Sequence, residues 1–191
     1  MLNKINHHKI YPVKYSGILN FRFRKIFQNP KKILDSYIKE GASVLDLGCG
    51  PGFFTIEIAK LTGESGKVIA ADLQESMLKI IKQRIQETVL KKRIKTHLCQ
   101  GNKIGITDKV DFILVFYMFH EIQNQNSYLN ELKSILKPKG KILLIEPKFH
   151  VSKKTFQTML NMIEINGFKI LESPKVFFSR SILLTIKESE K

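Results

Sequence analysis

The stretch VLDLGCGPGFFT, residues 44–55, decides the fold of this 191-residue chain. An apolar run reaches a carboxylate at Asp46, and three glycines follow at alternate positions, Gly48, Gly50 and Gly52. Glycine adopts backbone angles that other residues avoid, and it lets the main chain pass close to a ligand. The stretch therefore predicts a buried strand that ends in a ligand-binding turn.

Predicted strands and helices alternate after this turn. Asn29 and Pro30 predict the start of a first helix that Gly41 ends. Further helices are predicted from Phe53 to Leu61, from Gln74 to about Leu90, from Tyr128 to Leu136 and from Ser152 to Asn166, and strands at 43–48, 67–72, 94–99, 111–116, 141–146, 168–173 and 179–187. The turn signal Pro138-Lys139-Gly140 is expected to precede the fifth strand. This alternation predicts an α/β fold, a doubly wound and mostly parallel sheet with helices on both faces.

The composition is that of a soluble globular protein, with 43% hydrophobic and 26% charged residues. Its longest apolar run, residues 112–119, is shorter than the roughly 18 residues of a membrane span. The N-terminus has no apolar core of a secretory signal, so a cytoplasmic location is expected. Cys49 and Cys99 form no metal-ligand cluster, so free thiols and no metal site are predicted.

The net charge of +15 is densest near the N-terminus, where residues 1–40 carry +7. We interpret residues 1–28 as an N-terminal arm and residues 29–191 as the main domain. The arm mixes basic residues with aromatic ones, namely Tyr11, Tyr15, Phe21, Phe23 and Phe27. It could close over a pocket as a lid, bind RNA by stacking, or pack against the sheet edge. A general lysine bias of the proteome explains the charge equally well.

Two common phosphate-binding motifs do not fit the glycine turn. A dinucleotide site has the pattern G-x-G-x-x-G, but Phe53 stands at the third glycine position. A P-loop requires Gly-Lys-Ser/Thr, which does not follow here. Asp46 would also repel a pyrophosphate, whereas it suits a ligand with a cationic amine.

With these features the sequence resembles the class I S-adenosylmethionine-dependent methyltransferases. Their glycine motif, (V/I)-(L/V)-(D/E)-x-G-x-G-x-G, matches residues 44–52, and Asp72 stands where an acid of the second strand holds the ribose hydroxyls. The resemblance implies a Rossmann-like seven-stranded sheet of order 3-2-1-4-5-7-6 with strand 7 antiparallel, and S-adenosylmethionine as cofactor with S-adenosylhomocysteine as product. It assigns the cofactor contacts to Asp46, Gly48, Cys49, Gly50, Gly52, Asp72, Leu73, Gly101, Asn102, Phe116 and Tyr117.

Within this resemblance, Gly101-Asn102 replaces the Gly-Asp pair that often stands beside the adenine. An Asn side-chain oxygen still accepts a hydrogen bond from the adenine amino group. Asp46 would orient the ammonium group of the ligand through neighbouring backbone or water.

The methyl acceptor is harder to predict, because transfer from a sulfonium depends mainly on alignment. His120 and Glu121 follow the fourth strand and are the candidate catalytic residues, with His120 as a possible base or as a residue that only packs or caps. The sequence lacks the (D/N)-P-P-(Y/F) tetrapeptide of base-amino enzymes, a cysteine nucleophile after the fourth strand, and the cysteines of arsenite enzymes. A small-molecule acceptor is favoured, RNA is the alternative partner, and a catalytically silent cofactor-binding subunit is the third possibility. No membrane partner is expected, and the oligomeric state is left open.

Overall fold

The computed structural model describes residues 27–101 and 103–188. The strands are β1 (Ser43–Leu47), β2 (Lys67–Asp72), β3 (Ile94–Leu98), β4 (Val110–Phe116), β5 (Leu136–Pro147), β6 (Phe168–Glu172) and β7 (Ser179–Ile186). The α-helices described are α1 (Pro30–Leu34), α2 (Thr55–Leu61), α3 (Glu75–Ile85), α4 (Gln125–Ile135) and α5 (Lys153–Ile165). Short 3₁₀ segments cover Val89–Lys92 and Phe119–Glu121.

The strands form one sheet of order β3-β2-β1-β4-β5-β7-β6. Parallel pairing joins β3, β2, β1, β4 and β5, whereas β7 runs antiparallel to both β5 and β6. This topology confirms the order and the antiparallel strand 7 that the family resemblance implied. Because the first five strands are parallel, their carboxyl ends meet at one edge of the sheet, and the glycine turn lies there.

Most helix starts follow the capping signals in the sequence. Asn29 accepts a hydrogen bond from the backbone N–H of Lys32 at 3.3 Å, and Ser152 accepts one from Thr155 at 3.0 Å. Asn124 accepts from the backbone N–H of Ser127 at 3.1 Å, so α4 begins earlier than predicted. α1 is shorter than predicted, because the chain passes into turns after Leu34 instead of remaining helical up to Gly41.

Two predicted boundaries need correction. The long helix expected from Gln74 to about Leu90 ends at Ile85, and its last part is a separate 3₁₀ segment. The turn signal Pro138-Lys139-Gly140 lies inside β5 instead of before it. The segment still departs from regular strand geometry, because Lys139 has a φ of 64° and the pairing of β4 with β5 shifts register at this point.

The sheet has a hydrophobic core on each face. On one face α4 and α5 contribute residues such as Leu129 and Ile163, and on the other α1, α2 and α3 contribute residues such as Leu34, Ile58 and Ile81. The central strand β4 is buried along almost its whole length, as expected for a parallel strand that is covered on both faces. Among the described residues, no helix is long and apolar enough to cross a membrane.

Candidate active site

The glycine turn is held by main-chain hydrogen bonds to the end of β2. The backbone N–H groups of Gly48 and Cys49 donate to the carbonyl oxygen of Ala71 at 2.9 Å and 3.0 Å. Gly48, Gly50 and Gly52 have φ angles of 71°, 52° and 86°. These left-handed angles strain any residue with a side chain, so the backbone path itself accounts for all three glycines.

The space around the turn differs from one glycine to the next. A Cβ atom built on Gly50 meets no other atom within 4 Å, whereas one on Gly48 would lie 2.7 Å from Cγ of Met118. Gly50 therefore borders open space, and Gly48 borders the segment that follows β4. An open main-chain surface of this kind fits a ligand that the backbone approaches closely.

Asp72 ends β2 and connects that strand to the turn. One carboxylate oxygen accepts from the backbone N–H of Gly50 at 2.8 Å, and the other accepts from Gln74 at 2.8 Å. Burial raises the pKa of Asp72, and these backbone N–H groups act in the opposite direction. Each carboxylate oxygen has two lone pairs, so both can also accept a ligand hydroxyl. The site thus fits the ribose contact that the resemblance assigns to this residue.

Asp46 lies beneath the turn and is only 2% exposed. Its carboxylate accepts a hydrogen bond from the hydroxyl of Thr55 at 2.6 Å. Thr55 is fully buried at the start of α2, so this bond joins the end of β1 to the next helix. Sequence reasoning missed Thr55, although a threonine nine residues after an acid in a strand–turn–helix unit was its visible signal. The proposed contact of Asp46 with a ligand ammonium stays a prediction.

The two cysteines are buried and unpaired, as predicted. Burial raises the pKa of both thiols, that of Cys99 to about 12. Cys49 is part of the glycine turn, and the backbone N–H of Cys99 donates to the carbonyl of Asp72 at 2.9 Å. Both cysteines are therefore neutral packing residues under physiological conditions.

The structure describes only one of the two residues, Gly101 and Asn102, that the resemblance places beside the adenine. Gly101 follows β3 with a φ of 57°, and a Cβ atom there would meet nothing within 4 Å. The backbones of Gln100 and Lys103 form a bridge around it. Asn102, which the resemblance places beside the adenine, lies outside the described residues. Leu73, also assigned to the cofactor, is 50% exposed beside Asp72.

Tyr117 stands at the carboxyl end of β4 with a φ of 57°. Its hydroxyl accepts from the side-chain amide of Gln28 at 2.6 Å and lies 2.6 Å from the hydroxyl of Ser179, which donates to the carbonyl of Phe177. Its ring stacks on Phe116 with the centroids 4.1 Å apart. A left-handed tyrosine is unusual, and such backbone strain often accompanies a functional site.

The residues just before α1 also reach this edge of the sheet. The ring of Phe27 stacks on Phe177 with the centroids 5.1 Å apart, next to the Gln28–Tyr117 hydrogen bond. The last two residues of the predicted arm thus lie at the carboxyl end of β4 and the amino end of β7. Residues 1–26, which make up most of the arm, lie outside the described residues.

His120 pairs with Glu146 at the carboxyl ends of β4 and β5. The carboxylate of Glu146 is fully buried; one oxygen contacts Nδ1 of His120, and the other accepts from the backbone N–H of Phe119 at 3.0 Å. Nε2 of His120 is buried without a hydrogen-bond partner in the described part of the chain. The hydrogen bond with Glu146 raises the pKa of His120 despite the opposing effect of burial.

Glu121, the second predicted catalytic residue, lies on the outer side of the same ring. Its carboxylate is 3.9 Å from Nε2 of His120, and its side chain is 52% exposed. Glu146 therefore orients the imidazole through a direct hydrogen bond, and Glu121 does not. Glu146, near the end of β5, was not among the predicted catalytic residues.

These features resemble those of known proteins. The family model described as "Methyltransferase domain" matches residues 38–177. A demethylmenaquinone methyltransferase of Lactococcus lactis is 36% identical over 123 residues, which are 61% of this chain and 48% of that protein. The chain spans about half the length of the curated relatives it matches.

Solved structures show the same architecture. A SAM-dependent methyltransferase from Aquifex aeolicus superposes with a TM-score of 0.77 at 27% identity, covering 88% of this chain and 97% of that one. Aeropyrum pernix fibrillarin, solved with natively bound S-adenosyl-L-methionine, superposes with a TM-score of 0.63 at 12% identity, covering 78% and 68%. The second likeness concerns the fold alone.

Proposed function

The chain belongs to the methyltransferase domain family, and from that starting point we propose that it transfers a methyl group from S-adenosylmethionine to a small-molecule acceptor. One observation carries the proposal. The open glycine turn with Asp72 lies on one side of the carboxyl edge, and the Tyr117–His120–Glu146 group lies on the other. Gly48 and Met118 connect the two sides, because only the absence of a Cβ lets them meet.

When bound, S-adenosylmethionine supplies a methyl group on a sulfonium that leaves easily, and S-adenosylhomocysteine is the product. We propose that the turn from Gly48 to Gly52 lies along the amino-acid part of this cofactor. Asp72 accepts from its ribose hydroxyls, and Leu73, Gly101 and Asn102 flank its adenine. Phe116 and Cys49 pack beneath it. Asp46 lies below the turn, where the hydroxyl of Thr55 holds its carboxylate. From there it orients the ammonium group of the cofactor through the neighbouring main chain.

The acceptor is assigned to the β4–β5 side, next to Tyr117 and His120. The name of the Lactococcus lactis relative makes demethylmenaquinone one acceptor to include in the test, although that protein is matched over only 48% of its length. RNA is the alternative acceptor, because the chain carries a net charge of +15. We propose that the arm, residues 1–28, acts as a lid, since Phe27 and Gln28 approach Phe177 and Tyr117.

A labelled-methyl screen tests this function. The protein is incubated with S-adenosylmethionine labelled in its methyl group and either a small-molecule extract, demethylmenaquinone or bulk RNA. We expect label in small-molecule products from the wild type and much less from Asp72→Ala at the same cofactor concentration. Label in RNA alone would overturn the small-molecule assignment. Label in neither fraction, with S-adenosylhomocysteine still bound, would indicate a silent cofactor-binding subunit.

RNA binding is tested separately by filter binding across a salt series. If RNA is the acceptor, affinity falls steeply with salt because phosphate contacts release counterions. Neutral replacements of Arg22, Arg24 and Lys25 should then reduce the salt slope by up to about 3. If the arm is a lid, deletion of residues 1–28 instead lowers turnover of the small acceptor and leaves weak RNA binding unchanged.

A further inference from the structure

One nitrogen of the His120 imidazole is hydrogen-bonded, and the other has no hydrogen-bond partner in the described part of the chain. Nδ1 contacts the buried carboxylate of Glu146, whose other oxygen is held by the backbone N–H of Phe119. Nε2 is the one buried side-chain polar atom without a hydrogen-bond partner among the residues that the structure describes. Buried polar atoms in folded proteins are nearly always satisfied, so an orphan nitrogen requires an explanation.

We propose that Nε2 of His120 accepts the proton of a hydroxyl group on the methyl acceptor, and that Glu146 is the positioning residue that presents this nitrogen. The inference rests on the proposed function and adds the chemical class of the acceptor. A hydroxyl must lose its proton as it is methylated, whereas a neutral amine attacks without a base. A fixed base is therefore useful for a hydroxyl acceptor.

The geometry favours Glu146 for this role. A carboxylate at Nδ1 keeps the proton of the neutral ring on that nitrogen and leaves the lone pair on Nε2. The same buried charge stabilises the imidazolium that forms when Nε2 takes a second proton. The other titratable groups that face the ring in the described chain are Glu121, at 3.9 Å and half exposed, and His150, whose ring centroid is 5.6 Å away.

The step balances in atoms and charge. The acceptor O–H bond breaks and its proton moves to Nε2, while the electron pair freed on oxygen forms the bond to the methyl carbon. The bond from that carbon to sulfur breaks with its electrons remaining on sulfur. The positive charge that began on sulfur ends on the imidazolium of His120, where Glu146 neutralises it.

The pH dependence follows from the state of the ring. Nε2 accepts a proton only when the imidazole is neutral, so turnover falls as the pH drops through the pKa of His120. Glu146 raises that pKa, which places the acidic limb of the rate profile above the ordinary histidine value of about 6.5. Removing the charge of Glu146 should move the limb to lower pH and, at high pH, leave a weaker base and a lower rate.

An NMR titration of the His120 ring tests the positioning role without any acceptor. The wild type, Glu146→Gln and Glu121→Gln are titrated with saturating S-adenosylhomocysteine. We expect Glu146→Gln to lower the pKa of His120, since it removes a hydrogen-bonded opposite charge. The matched Glu121→Gln should change it by much less. Equal shifts, or no shift in Glu146→Gln, would overturn the assignment.

The ring tautomer gives a second measurement that requires no variant. Two-bond nitrogen–proton correlations of the neutral wild-type ring should show the proton on Nδ1. A proton on Nε2 would remove the lone pair that the proposal requires. This result is decisive even if Glu146→Gln does not fold.

The product of the labelled-methyl screen tests the acceptor class. We expect the methyl group on oxygen, and His120→Asn to lower kcat by about 100-fold or more with a smaller change in KM. Compared with the wild type, Glu146→Gln should have its acidic limb at lower pH and a lower rate at high pH. A purely structural role would not produce this pair of changes. A methyl group on nitrogen or carbon would overturn this inference and leave the methyltransferase function intact. If no acceptor is labelled, it is the proposed function that fails, and the titration decides the positioning role alone.

Discussion

The two sides of the carboxyl edge are built in different ways. The β1–β2 side is made of main chain: three left-handed glycines and backbone N–H groups that donate to Ala71 and Asp72. The β4–β5 side is made of side chains that meet from distant parts of the sequence. Its Tyr117 hydroxyl joins Gln28 to Ser179, and its His120 pairs with a glutamate 26 residues away.

This difference separates a side whose shape is fixed by the backbone from a side whose properties depend on individual side chains. A main-chain site tolerates little change, because each glycine is required by the backbone path. A side-chain site can be altered one group at a time without changing the fold. Mutations on the first side should therefore weaken cofactor binding, and mutations on the second should alter turnover or local stability.

Gly50→Val should have the largest effect on cofactor affinity. Its side chain would enter the open space next to the turn, and its φ of 52° is strained for a branched residue. We expect binding of S-adenosylhomocysteine, measured by calorimetry, to weaken by about 100-fold or more, which is close to 3 kcal/mol. Gly63→Val is the matched control, since Gly63 has a φ of 68° and an added Cβ there would meet Glu40 instead of the open space at the turn. Equal affinity in the wild type and Gly50→Val would show that the turn does not face the cofactor.

Asp72→Ala should have the next largest effect. It removes a charge-assisted contact worth roughly 1.5–3 kcal/mol, and it also frees the N–H groups of Gly50 and Gln74. We expect S-adenosylhomocysteine affinity to fall about 10–100-fold in a folded protein. Asp108→Ala, which loses only an exposed ion pair with Lys95, is the control. Unchanged affinity in Asp72→Ala would remove Asp72 from the site.

Tyr117→Phe tests the other side of the comparison. It deletes the hydroxyl between Gln28 and Ser179, so urea denaturation should show a loss of about 1–2 kcal/mol. Cofactor affinity should change little, because the substitution removes only the hydroxyl and leaves the ring of Tyr117, the glycine turn and Asp72 in place. Tyr37→Phe, which loses a surface bond to Glu172, should cost less than about 0.5 kcal/mol. A large drop in cofactor affinity in Tyr117→Phe would show that the two sides are not separable.

Oxidising conditions should have the smallest effect. Cys49 and Cys99 are buried with raised pKa values, so a thiol reagent should react slowly with the native protein and find two thiols after denaturation. The thermal midpoint should be the same with and without reductant. Fewer than two thiols in the denatured protein would indicate a covalent link that the structure does not contain.

The sequence predicted the β1–β2 side well because its determinants are local. The glycine spacing, Asp46 and Asp72 all belong to one strand–turn–helix–strand unit, and β2 was predicted with its observed bounds. Boundaries were less accurate where capping competes with periodicity, as at Asn124, or where a turn is inserted into a strand, as at Pro138.

The β4–β5 side could not be predicted to the same depth. His120 was recognisable as a titratable residue after β4, but its partner Glu146 is brought close only by the pairing of β4 with β5. Ser179 reaches Tyr117 only because β7 runs antiparallel beside β5. Contacts of this kind depend on topology, and a single sequence does not reveal which side chains the topology brings together.

The position of β7 also bears on how the chain is assembled during synthesis. β7 is the last of the seven described strands in chain order, yet it lies inside the sheet, and β6 pairs only with β7 among them. Until residues 179–186 have been synthesised, the edge of β5 has unsatisfied backbone groups and β6 has no neighbour. The incomplete sheet therefore presents an unpaired strand edge, which is a template for pairing with another chain. Completion of this sheet therefore requires β7, which joins β5 to β6.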